Sequence, residues 1–207
     1  MNSHTEALMP PLYSEQTTAP TGDGRRLPGD LAIWFFILAE LLAFGVFFVA
    51  YAFTRANNVE LFNTEQLALD RTAGAINTVL LLTSSFFVVR AVQVAEAGHG
   101  RRAAPWLAAA FACGGGFVVV KLFEYAEKIA AGVSLSSSTF HMFYLSLTFF
   151  HFMHVILGMV ILAALWNGAR CGRYGPDNMN GIETGAAYWH MVDLVWLILF
   201  PLIYVMR

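Results

Sequence analysis

Apolar residues in this chain gather into five long runs separated by short polar stretches, with no alternation of a strand type. The runs cover about Leu31 to Phe53, Thr72 to Val94, Ala104 to Tyr125, Thr139 to Trp166 and Thr184 to Met206. A helix that crosses a bilayer needs about 20 mostly apolar residues, so each run is long enough to span. The connections are too short to fold separately: "TRANNVELFNTEQLALDR" (54–71), "EAGHGRR" (96–102), "EKIAAGVSLSSS" (127–138) and "NGARCGRYGPDNMNGIE" (167–183). The second is a tight basic turn, the third has room for an interfacial piece, and the last is Gly-rich. Pro105 falls at the start of the third run, where a helix tolerates proline. The pattern predicts an all-α polytopic membrane bundle of five transmembrane helices in one domain, 29–207. No internal repeat is evident.

Composition agrees with that reading. The 207 residues are 57% hydrophobic and 13% charged, with 18 Phe and a mean hydropathy of +0.59. A soluble domain is about 45–50% apolar and about 25% charged. The net charge of −2 offers no basic stripe for nucleic acid. Cys113 and Cys171 are far apart without CxxC spacing, which points to neither a disulfide framework nor a zinc site. Residues 1–28 are polar and rich in Pro, Ser and Thr. They lack the basic, apolar and A-x-A regions of a secretory signal and read as a mobile tail.

Basic residues set an expected orientation. Arg25, Arg26, Arg90, Arg101, Arg102, Arg170 and Arg173 fall on the side of the N-terminus, against Arg55, Arg71, Lys128 and Arg207 on the other. By the positive-inside rule this places the N-terminus in the cytoplasm and the C-terminus in the periplasm of a bacterial inner membrane.

Ionisable groups inside apolar helices are expensive, costing about 2.5–3.5 kcal/mol each on insertion scales, and so direct attention to themselves. Glu40, in "FFILAELLAFG", stands in mid-run, where burial penalises its charged form. It suits a proton relay or a hydrogen bond to a neighbouring helix, the latter being the commoner use. Lys121 and Glu124 are at i,i+3 and able to pair, while the lysine stem could instead snorkel toward headgroups. His151 and His154 also share one helix face. Two imidazoles could hold a metal or haem, but the other candidate ligands (Glu40, Glu124, His190) are scattered, which favours hydrogen bonding between helices. His190 and Asp193 form a third i,i+3 pair, in which the acid would orient the ring, and Glu183 lies one heptad before His190. Tyr188, Trp189 and Trp196 are the amphipathic rings expected to anchor the last helix at the interface. The small residues at 112–116 and Gly158 mark close helix approach.

Taken in order, five segments resemble subunit III of the haem–copper respiratory oxidases, the cytochrome c oxidase subunit 3 family, over about residues 31–207. They are "WFFILAELLAFGVFFVAYAF", "INTVLLLTSSFFVVRAV", "FVVVKLFEY", "FFHFMHVILG" and "YWHMVDLVWLILF". The resemblance implies a non-catalytic accessory subunit with no catalytic residue, metal or redox cofactor of its own. Haem and copper or iron belong to the catalytic subunit I-like partner. Subunit III packs beside that partner, holds phospholipid in a cleft, and supports assembly, proton uptake and durability. The family's motif positions map onto Glu40, Asn77, Glu124, His151, His154, Glu183, His190 and Asp193. Two departures are visible. The chain is similar to short forms without the first two of seven helices, as in relatives associated with nitric oxide reductase, or next with quinol oxidase. Phe149 and Phe152 in "TFFHFMHV" replace the family's glycines, so the partner face or lipid cleft should differ there. Two other classes compete with this reading: a proton-coupled transporter using Glu40, Lys121–Glu124 and His190–Asp193, and a redox enzyme with its own metal at His151 and His154.

Overall fold

A computed structural model describes residues 31–206, and the polar tail, Arg25, Arg26 and Arg207 lie outside the described residues. The described chain is helical: α1 (Leu31–Asn57), α2 (Val59–Gln66), α3 (Arg71–Glu96), α4 (Ala103–Ala130), α5 (Thr139–Arg170) and α6 (Asn180–Phe200). Five helices, all but α2, are long and apolar enough to cross a membrane, and each begins within about a turn of the expected position. Most run farther than the hydropathy pattern, because helical hydrogen bonding continues into the polar ends until something stops it.

Glycine stops three of them. Gly98, Gly132 and Gly172 have φ of +80°, +75° and +69° at the ends of α3, α4 and α5. At each end the N–H beyond the glycine reaches back to close a Schellman turn: His99 to the Val94 carbonyl, Val133 to Lys128 and Arg173 to Gly168. An L side chain resists that left-handed conformation, so glycine fixes where the chain leaves the helix. Helix starts use side-chain caps. The Asp70 carboxylate accepts from the Thr72 and Ala73 N–H groups, and the Ser138 hydroxyl accepts from the His141 N–H.

The polar connection after α1 is itself helical, which its composition conceals. Within α2, Phe62 and Gln66 are one turn apart and both buried. Phe62 packs edge-on against Tyr51 and Phe140, and the Gln66 amide donates to the Ile203 carbonyl at 2.6 Å. Arg55 also donates to the Asn63 side chain and Glu65 lies 3.4 Å from His141 Nδ1, so one buried aromatic and a few polar contacts dock an otherwise wet segment.

Helix α6 is the centre of the bundle, packing against α5, α3 and α1, and α3 with α4 forms the longest hairpin contact. Over half of α6's apolar window is buried (56%), whereas α1 buries 11% and lies at the edge. Close approach is made by glycines, as the small-residue pattern implied. A Cβ on Gly114 of α4 or Gly158 of α5 would come within 2.8 Å of the Trp189 ring of α6. The indole therefore fills a slot that only two glycines leave open. After α6, Pro201 begins a wider π-type turn, Pro201–Val205, closed by the Met206 N–H on the Pro201 carbonyl. Proline has no N–H to continue the ladder, and the wider turn carries Tyr204 inward.

Candidate functional site

Three polar clusters and an apolar cleft beside α6 stand out in this packing. In the first, α1 meets α5: the Glu40 carboxyl stands 3.1 Å from Nε2 of His154. The other ring nitrogen, Nδ1, is 2.8 Å from the Phe150 carbonyl one turn back, so Nδ1 carries a hydrogen and donates to it. Nε2 then bonds Glu40 in one of two ways. A neutral ring accepts from a protonated carboxyl, or a cationic ring donates to a carboxylate. Both arrangements hold one proton between the two groups and sum to zero charge. The acid is therefore hydrogen-bonded to a neighbouring helix, with the Phe44 ring edge-on to His154 at 5.4 Å.

The second cluster is sealed inside the bundle. Lys121 is fully buried and Glu124 nearly so. Lys121 Nζ donates to Glu124 Oε2 at 3.1 Å and to the Tyr204 hydroxyl at 2.8 Å. Glu124 Oε1 accepts from the hydroxyls of Tyr144 and Tyr204, each at 2.5 Å. The rings of Tyr125, Tyr144, Trp196 and Tyr204 stand 5.1–5.6 Å from the ammonium. The expected pair exists, while the alternative of a lysine reaching toward headgroups does not, since the ammonium is enclosed. Ion pairing, hydrogen bonds and π faces together offset the desolvation of a buried charge. No sequence signal joins Tyr125, Tyr144 and Tyr204 to this pair. They arrive from three helical segments, and no spacing along the chain links them.

The third cluster departs from the sequence reading. His190 does not pair with Asp193. Its Nδ1 is 2.8 Å from the Ser85 hydroxyl on α3, the same Ser85 side chain also faces Asp193, and Asp193 Oδ1 is buried with no hydrogen-bond partner. A residue and its i+3 neighbour face the same sector, but here α3 supplies a closer hydroxyl. The rings expected as interface anchors are also elsewhere: Tyr188, Trp189 and Trp196 are 1%, 1% and 0% exposed. Tyr188 donates to the His154 carbonyl and stacks on Phe36, and Trp196 Nε1 donates to the Thr78 hydroxyl at 3.0 Å. Helix packing claims these rings because α6 runs through the middle of the bundle.

His151 also departs from expectation. It is wholly buried, stacked on Trp196 at 5.3 Å and met edge-on by Phe117, and neither ring nitrogen has a hydrogen-bond partner. The two i,i+3 histidines thus have different surroundings, an aromatic box for His151 and a carboxyl for His154. Asn77 is likewise buried with both amide atoms unpartnered. Among the described residues, no three His, Cys, Asp or Glu side chains converge as a metal site would require. Phe152 is buried against the edge of Tyr125, whereas Phe149 is exposed, so the two rings have different surroundings.

The cleft lies between α1, α3 and α6, with a volume of about 480 Å³. Trp34, Ile37 and Leu41 form one wall, Val89 and Val92 a second, and Ala187, Met191 and Leu194 the third, while Gln93, Glu183 and His190 add its few polar groups.

Comparison with known proteins gives a consistent result. The model of the family "Cytochrome c oxidase subunit III" matches residues 24–207. The chain is 32% identical over 180 residues to cytochrome c oxidase subunit 3 of Thermostichus vulcanus, covering 85% of this chain and 86% of that one. It is 30% identical over 175 residues to the probable cytochrome c oxidase subunit 3 of Nocardia farcinica, covering 84% and 85%. It is also 32% identical over 182 residues to the haem–copper oxidase subunit I+III of Aeropyrum pernix, covering 84% of this chain and 22% of that longer one. Near-equal coverage of the first two chains means that a compact length is shared with relatives named for cytochrome c oxidase, so length does not single out another branch. Five helices long and apolar enough to span, a mid-helix acid and a match that covers the whole described chain make this protein a member of the cytochrome c oxidase subunit III family.

Proposed function

We propose that this chain is a non-catalytic accessory subunit of a respiratory haem–copper complex, seated in a bacterial inner membrane beside a subunit I-like catalytic protein. The observation that carries the reading is the subunit III match over residues 24–207, joined to a relative in which subunits I and III are one polypeptide. Fusion of the two places them side by side in that relative, and the same association is proposed here. The names of the relatives favour an oxygen-reducing oxidase over a nitric oxide reductase. Haem and metal reside in the partner. The basic-residue bias supports a cytoplasmic N-terminus and a periplasmic C-terminus.

Phospholipid fills the apolar cleft in this proposal, because an open groove of that size and lining suits an acyl chain. Lipid held there would support the assembly and durability of the complex. No observation favours an independent transporter: Glu40 is joined to His154, and Lys121 to Glu124, in local pairs.

Co-purification tests the proposal. The tagged chain, extracted in mild detergent, should bring down a haem-bearing membrane protein. Recovery without haem, together with normal oxidase activity in a strain lacking the chain, would falsify it.

A further inference from the structure

At the end of the α3–α4 hairpin, a second cavity of about 360 Å³ is lined by Arg90, Gln93, His99, Arg102 and Trp106, among others. We propose that it binds the phosphate of an anionic phospholipid. This rests on the reading that the neighbouring cleft holds lipid.

Four observations carry the assignment. The guanidinium of Arg90 is held in place, donating to Gln93 at 2.9 Å and lying 5.6 Å over the Trp106 ring. Arg102 lines the same cavity, and among the described residues no carboxylate lies within ion-pair distance of either arginine. Glu96, on the same end of α3, does not line the cavity. Gln93 lines both this cavity and the apolar cleft, so a phosphate at the arginines has an acyl-chain groove next to it.

Depth fits as well. The cluster sits where α3 ends at Glu96 and the 3-10 turn Gly100–Arg102 leads into α4, and that end of a spanning hairpin lies at headgroup level. Basic pockets between membrane helices there select anionic lipid, and a tryptophan favours the same layer. Free phosphate offers the same charge without the chain that the adjoining groove would accept. The commitment is therefore to a lipid.

The test uses the chain together with its co-purifying partners, placed in nanodiscs of equal phosphatidylglycerol and phosphatidylcholine. Retained lipid is then identified by native mass spectrometry. The natural protein should retain phosphatidylglycerol preferentially. Each arginine near the surface contributes about fivefold, so Arg90→Gln with Arg102→Gln should reduce that preference by roughly 25-fold. Arg90→Lys with Arg102→Lys should keep most of it, which separates charge from folding. An unchanged preference in the glutamine variant overturns the site, as does displacement of the lipid by inorganic phosphate alone. Lipid retained without headgroup discrimination defeats the arginine site but leaves the cleft reading standing. Loss of all retained lipid from the natural protein defeats the cleft reading itself.

Discussion

Glu40 on α1 and His154 on α5 are joined at 3.1 Å, while the far nitrogen of the same imidazole donates to the Phe150 carbonyl. The edge helix is thereby tied to the bundle through one shared proton. Replacing the acid separates the hydrogen bond from the carboxyl group that makes it. Glu40→Gln keeps a donor for Nε2, so the protein should unfold within about 2 °C of the natural one, whereas Glu40→Ala should lose about 1 kcal/mol. Differential scanning fluorimetry in mild detergent measures both. In the assembled complex, Glu40→Gln should alter lipid retention or lifetime during turnover and leave the initial rate near normal. An immediate, complete loss of catalysis with assembly intact would contradict the accessory role.

The enclosed Lys121–Glu124 pair predicts strong coupling. Removing one partner leaves an uncompensated charge, so Lys121→Met or Glu124→Gln alone should cost about 3–5 kcal/mol. The double variant should recover a large part of that loss, because neither charge remains. A thermal double-mutant cycle reads the coupling, and simple additivity of the two losses would show that the pair is not acting as a unit.

Trp189 between two glycines predicts a steric effect. Gly114→Ala and Gly158→Ala each put a methyl within 2.8 Å of the indole and should cost about 1–3 kcal/mol. Combining either with Trp189→Phe should cost less than the sum of the separate losses, since a smaller ring vacates the slot. Gly45, where a Cβ meets nothing within 4 Å, serves as the control, and its alanine variant should melt with the natural protein.

His151 predicts the reverse of what a histidine paired across helices suggests. Both nitrogens are buried without partners, so desolvation is not repaid by hydrogen bonds. His151→Leu should leave the stability of the isolated chain unchanged or raise it. A loss of several degrees in melting temperature would mean that the nitrogens have a partner, such as an internal water.

The hydrophobic pattern alone determined the number of spanning helices, their order and their approximate ends, because in a bilayer only a continuous apolar helix satisfies its own backbone. It also pointed to Lys121–Glu124 and to Gly158, where neighbours one turn apart or a small residue carry the information locally. It could not assign partners between helices. Ser85 meets the His190 ring nitrogen, Glu40 on α1 meets His154 on α5, and α2 is docked by Phe62 and Gln66 from a polar stretch. Nor could it place Tyr188, Trp189 and Trp196, which look like interface rings and are buried because α6 is central. Those choices depend on which helices are neighbours and on how each is rotated, and distances between residues a hundred positions apart exist only once the bundle has packed.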